Sequence, residues 1–154
     1  MSKQLVTSLV AILALIFVVI VGPNFSRADT ANSEAASPGA RMADGTIYVG
    51  VSPSNGLPLF VMPQDIEGEH SFSEAHLTAA IQTFGGHSDW RVPSIEELDH
   101  LYQQKEIIGG FSRYWYWSST DYNSIYAWHY DFGIGYQSYS MKDYHNRVRY
   151  VRSG

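Results

Sequence analysis

His129 and Asp131 stand one residue apart in the segment AWHYDFGIGYQ, shortly after the pair Ser118–Ser119, so the residue types of a hydrolytic relay lie close together. A relay needs the imidazole between hydroxyl and carboxylate, whereas strand alternation sets residues 129 and 131 side by side on one face. No Gly-x-Ser-x-Gly elbow is present to lift a serine out of a sheet. The six histidines are scattered without an HxH or HExxH pair, and the chain has no cysteine. Asp121, Asn123 and Asp131 offer oxygen ligands through which calcium stays open as the weaker alternative. The expectation is therefore no catalysis, no metal and no cofactor.

Recognition is the chemistry that remains. The stretch YWYWSSTDYNSIYAWHYDFG, residues 114–133, carries nine aromatic side chains among twenty. Alternation puts Trp128, Tyr130 and Phe132 on one face and Ala127, His129 and Asp131 on the other; it also divides Tyr114 and Tyr116 from Trp115 and Trp117, and Tyr136, Ser138 and Ser140 from Gln137 and Tyr139. One row is expected inside. Trp117, Trp128 and Phe132 are assigned to the fold, as is Trp90, because a buried indole removes on the order of 150–250 Å² from water and offers an N–H to a carbonyl. The residues expected on display are Tyr, Ser, Asn, Asp and His, types that antibody loops favour for rigid amphipathic contact and adaptable hydrogen bonding. The candidate ligand-binding set is Tyr122, Asn123, Tyr126, His129, Tyr136, Tyr139 and Tyr144. Polar turns between Tyr-rich strands give a plainer reading of the same residues.

The closing segment RVRYVR is basic, and with Lys142 it leaves a local anion site open. Arg91, Arg147, Arg149 and Arg152 are expected to pair inside the domain with Glu96, Glu97, Asp89 or Asp131, since buried guanidinium groups are normally paired. Arg91 and Arg149 are taken as fold-determining. Val148 and Tyr150 should share a face opposite Arg147 and Arg149.

The elements that must position these residues can be read in order. Two β-prone runs, 46–51 and 59–62, flank Asn55–Gly56 and predict a hairpin with a longer loop. In SFSEAHLTAAIQTFGG, Ser71 and Glu74 form a capping box; Phe72, Ala75, Ala79, Ala80 and Phe84 approximate one face, and Gly85–Gly86 ends the helix. Ser94 and Glu97 open a second helix whose apolar face is Ile95, Leu98, Leu101 and Tyr102. Short strands then follow at 114–118, 125–132, 136–140 and 147–152. This order is an α+β arrangement: an N-terminal hairpin, two helices and a C-terminal antiparallel sheet.

With 154 residues, 14% aromatic and 16% charged, the chain suits one globular domain and is too apolar for disorder. Lys3 precedes the apolar run 5–21, and Ser26 and Ala28 follow at signal-peptidase spacing, so residues 1–28 read as a signal peptide or an uncleaved membrane anchor. Either way the remainder is expected outside the cytoplasm: a flexible linker at 29–44 and a domain at 45–154. Lys3 and Arg27 are the only charges in that first segment, so the rest holds eight cations against fifteen anions, a formal charge of −7. That argues against nucleic acid as a partner.

Together DWRVPSIEEL, YWSST, AW with the following aromatic-Gly segment, and VRYVR resemble, in order, the motifs of the family typified by the C-terminal domain of the Legionella collagen-like protein, the Lcl C-terminal domain family. The resemblance extends from about Gly45 to Arg152. It implies a C-type-lectin-like fold of the kind shared with formylglycine-generating enzymes and with the variable proteins of diversity-generating retroelements. It also implies export, and a founding member that is an adhesin for sulfated glycosaminoglycans. Tyr150 departs from the family pattern, which has Cys at that place, where it would be a buried packing residue. The cysteine chemistry of the formylglycine-generating branch is excluded, because the chain has none. Tyr, Ser and Asn are also what adenine substitution in an Asn codon yields in the retroelement proteins.

The expected function is an exported, non-catalytic binding or adhesion module whose Tyr/Ser/Asn/His face engages an extracellular glycan or surface protein. A diversified, protein-binding display protein is the second reading, and a sulfatase-modifying-type enzyme the third. Membrane contact is expected only through residues 1–28 if they are retained.

Overall fold

A computed structural model describes residues 36–154. The signal peptide or anchor expected at 1–28 and the first part of the linker lie outside the described residues. Among the described residues no helix is long and apolar enough to cross a membrane.

Strands β1 (Ile47–Val51) and β2 (Pro58–Val61) form the expected hairpin, with Ile47 opposite Val61 and Tyr48 opposite Phe60. Its loop closes through Ser52 N–H to the Leu57 carbonyl, while Asn55 Oδ1 accepts from Leu57 N–H and Gly56 takes a positive φ. The linker expected at 29–44 does not stay apart from the domain at its far end. Gly39 N–H donates to the Tyr48 carbonyl, Tyr48 N–H to that of Ala40, and Met42 N–H to that of Thr46. Main-chain pairing of this kind needs no apolar periodicity, so composition gave no sign of it.

Helix α1 (Phe72–Ile81) begins at the expected Ser71–Glu74 capping box. Ala75 and Ala79 are buried, but Ala80 is exposed and the helix stops at Gln82, so Phe84 belongs to the following turn and not to the helical face. Helix α2 (Ile95–Gln103) begins at the Ser94–Glu97 box and buries Ile95, Leu98 and Leu101. A single turn, α3 (Lys105–Ile108), follows and ends at Gly109.

The C-terminal sheet is a meander of β3 (Trp115–Asp121), β4 (Tyr126–Asp131) and β5 (Tyr136–Met141), in that spatial order. The last strand, β6 (Val151–Ser153), does not join it. It pairs antiparallel with β2 and completes a hairpin sheet ordered β1–β2–β6. Residues 147–150, expected as strand, thread between the two sheets: Trp117 N–H donates to the Arg147 carbonyl on one side and Met62 N–H to the Tyr150 carbonyl on the other. Both sides of this segment are covered. Val148, Tyr150 and Arg149 are therefore all buried, where alternation placed the arginine opposite the apolar pair.

The same arrangement overturns the expectation of one inner row in the aromatic stretch. Tyr116 and Tyr130 pack with Ile95, Leu98 and Leu101 of α2 and with Val49, Leu59 and Val61 of the hairpin sheet. On the opposite face Trp117 and Ala127 pack with Ala75 and Ala79 of α1, Val148 and Tyr150. Alanine at 75 and 79 keeps α1 slim on the side turned toward Trp117, and Phe72 meets that indole edge to face at 5.8 Å. The sheet is thus covered on both faces near β3 and open toward β5, whose exposed residues alternate with half-buried ones.

Candidate functional site

The open end of this sheet carries the exposed aromatic rings. Trp128 and Tyr139 are register partners on β4 and β5, and Tyr126 lies two residues before Trp128 on the same face. Tyr122, in the turn after β3, lies over them: its ring is 4.0 Å from that of Tyr139 with planes 4° apart, and 5.6 Å from that of Trp128 at 77°. Tyr126 and Trp128 meet Tyr139 edge to face at 5.8 and 5.7 Å. The turn is built to hold Tyr122 there. Asn123 Oδ1 accepts from the N–H groups of Ile125 and Tyr126 at 2.9 and 2.8 Å, and Tyr122 and Asn123 both donate to the Tyr126 carbonyl. Lys142 pairs with Asp121 at 2.7 Å across the base of the turn.

Beside Trp128 a groove of about 910 Å³ separates the sheet from α2. One wall is the polar face of α2, where Glu96, Asp99, His100 and Gln103 follow the i, i+3, i+4, i+7 spacing of a single helical stripe. The other wall is Trp128 and Tyr130. The phenol of Tyr130 donates to Asp99 Oδ1 at 2.7 Å, and burial, together with this carboxylate, raises the phenol's pKa. Gly135 turns the chain between β4 and β5 at the end of the groove, at positive φ.

Of the seven residues expected to meet a ligand, Tyr122, Tyr126 and Tyr139 come together, with Trp128, assigned to the fold, as their half-buried partner. Asn123 lies in the turn beneath them with its side-chain oxygen committed to the backbone. Tyr136 is exposed outside this cluster: it lines the end of the groove beside Gly135, and its ring approaches Trp115 at 6.5 Å. Tyr144 is exposed in the turn beyond β5. His129, expected on display, is 8% exposed. Its ring stacks on Trp115 at 4.0 Å and lies 5.7 Å from Trp117, with Nδ1 near Asn146 and Ser140. Burial lowers its pKa to about 4, against the opposing pull of Asn146 and Asp131. The cause of the misplacement is α1 and the segment 146–150, which roof the face that alternation left open. Asn146, whose side chain meets His129 Nδ1, is buried with it.

Relay geometry does not form around this histidine. Ser118 Oγ is buried and donates to the Trp128 carbonyl at 2.7 Å, and Asp131 Oδ1 accepts from Gly133 N–H at 2.7 Å. Among the described residues no group of three or more His, Asp or Glu side chains is placed to hold a metal ion.

The residues assigned to the fold hold it at specific points. Trp90 Nε1 donates to the Phe84 carbonyl and Trp117 Nε1 to that of His70. Arg91 reaches Glu97 with both terminal nitrogens at 2.6 and 2.7 Å. Glu97 is wholly buried and also accepts from Ser52 Oγ and Ser94 N–H. Burial acts to raise its pKa, but the bonds from Arg91, Ser52 and Ser94 outweigh that, and the carboxyl lies below its ordinary value. Arg152 pairs with Asp89 at 3.0 Å, as the sequence allowed. Arg149 instead meets Asp65 at 3.2 Å and the carbonyls of Met62 and Gly109 at 2.7 and 3.0 Å, and Arg147 approaches Glu69 at 3.9 Å. With Lys142 on Asp121, each cation of the closing segment has a carboxylate within 4 Å, Arg147 only at 3.9 Å, its Nε donating no hydrogen bond among the described residues. Asp65 and Glu69 went unassigned because nothing local marks them; the acidic loop QDIEGE, 64–69, was their one signal.

No curated protein matches the chain. The model of one protein family, the Lcl C-terminal domain, matches residues 58–152, from the first residue of β2 to the middle of β6. Arg91 on Glu97, the buried Trp117 and the buried Arg149 all fall within that span, which exceeds half of the 154 residues, and the chain belongs to the Lcl C-terminal domain family.

Proposed function

We propose that this is an exported, non-catalytic binding domain of C-type-lectin-like fold that holds a surface glycan on the Tyr122, Tyr126, Trp128 and Tyr139 cluster. The observation that carries the reading is the Tyr122–Tyr139 pair. Two rings, 48% and 44% exposed, are aligned on each other by a hydrogen-bonded turn at the open end of the sheet, where the core has no use for them. Aromatic planes suit the apolar faces of sugar rings, and tyrosine adds a hydroxyl for the sugar's own. Ser118 and Asp131, the other relay types near His129, are committed to main-chain partners, which favours recognition over chemistry. Export rests on the signal-like segment 1–28.

The test is a glycan and protein array probed with the full chain and with the triple variant Tyr122→Ala, Tyr126→Ala, Tyr139→Ala at two salt concentrations. Capture should fall at least about tenfold in the variant, while the variant still unfolds cooperatively at a modestly lowered Tm, since all three rings lie outside the two cores. Undiminished capture by a folded variant would remove the assignment.

A further inference from the structure

We propose that the groove between α2 and the sheet selects a ligand carrying a protonated amine. The proposal rests on the reading of this face as a ligand surface and names the chemistry that the surface prefers. Three independent features of the groove agree. Its volume, about 910 Å³, is that of a small-ligand site. One wall is aromatic: the half-buried Trp128 presents a π-system that attracts a cation placed within roughly 6 Å of its ring centroid, while the buried Tyr130 reaches Asp99 with its hydroxyl. The other carries Glu96 and Asp99, one helical turn apart; His100 is the basic side chain among the groove's lining residues, with no lysine or arginine.

Five of the eight lysines and arginines beyond residue 28 are committed to carboxylates outside the groove. Arg91, Lys142, Arg147, Arg149 and Arg152 face Glu97, Asp121, Glu69, Asp65 and Asp89, none of which lines the groove. Among the described residues neither Glu96 nor Asp99 has a cationic partner. The Tyr130 hydroxyl donates to Asp99 Oδ1, which orients the carboxylate and leaves its second oxygen for a ligand. An ammonium group seated between Asp99 and the Trp128 face would gain both attractions in a partly desolvated cleft. A sulfate or carboxylate group there would meet two negative charges. The aromatic cluster continues from Trp128 to Tyr139 and Tyr122, so the rest of such a ligand has a surface to extend across.

A protonated amine can belong to an amino sugar or to a lysine side chain, and the experiment separates the two. The full chain, held in nonionic detergent, is titrated at mildly acidic pH with deacetylated chitohexaose, N-acetylated chitohexaose, hexalysine and heparin. The comparison protein is the double variant Glu96→Gln, Asp99→Asn, whose isosteric amides preserve the acceptor for Tyr130. The expected result is that one amine probe binds about tenfold or more tightly than the N-acetylated oligomer and heparin, and that the double variant abolishes this preference. Preference for deacetylated chitohexaose assigns the amine to a glycan, and preference for hexalysine assigns it to a peptide. Equal binding of amine and N-acetylated probes, tightest binding to heparin, or a preference that survives in the double variant overturns the proposal. The Tyr122→Ala, Tyr139→Ala variant keeps the two readings distinct. If it loses N-acetylated chitohexaose while the wild type shows no amine preference, the aromatic surface stands and the groove assignment alone falls.

Discussion

The rings of Tyr122 and Tyr139 lie 4.0 Å apart with planes 4° from parallel, although the two residues sit on different sides of the β4 strand in sequence and each is nearly half exposed. Parallel overlap at this distance is not the geometry that isolated aromatic pairs favour most, and the turn hydrogen bonds hold Tyr122 in it. Replacing either ring by alanine should therefore cost stability only about 0.5–1.5 kcal/mol, the usual worth of such a pair, yet leave the other ring without its support. Urea unfolding of Tyr139→Ala and Tyr122→Ala, singly and together, measures the coupling. A loss in the double variant smaller than the sum of the singles is the expected outcome, and strict additivity would show that the rings do not support each other.

Removing Glu97 should be the most damaging single change at the α2 end of the fold. Glu97→Ala takes away the cap acceptor for Ser94 N–H, strands the Arg91 guanidinium and orphans Ser52 Oγ at once. Breaking a fully buried pair from one side costs about 3–5 kcal/mol, and because the Arg91 side chain is over one-third exposed the loss belongs at the lower end. Denaturant unfolding should show a loss in that range for Glu97→Ala. Its counterpart at the other box, Glu74→Ala, should cost visibly less, because that carboxylate is solvent-exposed.

His129 makes stability depend on mildly acidic pH. Its folded pKa, about 4, lies below the ordinary 6.5, so the unfolded chain takes up a proton across that interval and the folded chain does not. The contribution is complete above pH 6.5 and is lost as pH falls from 6.5 toward 4. Below that window Glu97 and Asp44, whose pKa values are lowered, add their own acid sensitivity. His129→Phe, which keeps a ring against Trp115, should flatten the fall of Tm between pH 6.5 and 4 relative to wild type. An unchanged slope would show that His129 titrates alike in both states.

Gly135 admits no side chain. A Cβ built there would lie 2.6 Å from two carbons of the Tyr102 ring, and φ is +75°. Gly135→Ala should destabilise by more than the roughly 1 kcal/mol of a left-handed alanine alone, since Tyr102 packs edge to face on Phe132 and cannot simply swing away. Thermal unfolding and near-ultraviolet circular dichroism would register both effects.

Tyr150 closes the segment that threads between the two sheets. It is fully buried and its hydroxyl donates to the Ala75 carbonyl at 2.8 Å, while burial pushes its pKa up to about 12. Tyr150→Phe should cost about 1 kcal/mol for the lost bond, and Tyr150→Cys about 3–5 kcal/mol for the cavity between α1 and Val148. Chemical denaturation distinguishes the two steps.

Much of this could be read along the chain, and what could not has a common physical cause. Both capping boxes, the hairpin with its Asn55 loop, and the parity of β4 and β5 depend on neighbours a few residues away, and each stands where its pattern put it. The burial of His129, the partners of Arg147 and Arg149 and the departure of β6 from the C-terminal sheet depend on contacts between distant segments. Alternation states which residues share a face but not which faces are roofed. The aromatic cluster was legible because Tyr122 is large and out of place at a polar turn, and alternation sets Tyr126 on the face of Trp128. The groove was not, because Glu96 and Asp99 read as an ordinary solvated helix face until Trp128 and Tyr130 stand opposite them.

The pairing of β2 with β6 has a consequence for how the molecule assembles. Leu59 lies opposite Ser153, and Val151 also exchanges main-chain hydrogen bonds with Arg91, so a ladder near the start of the domain is completed by its final strand. Nearly all of the domain lies between those two strands as one closed loop. Such topology folds slowly and late, since the ordering of the whole loop precedes the contacts that reward it. It also makes the finished domain tolerant of a cut: a chain nicked in the exposed turn at Asn123–Ser124 would remain clasped at both ends, its halves released only on denaturation.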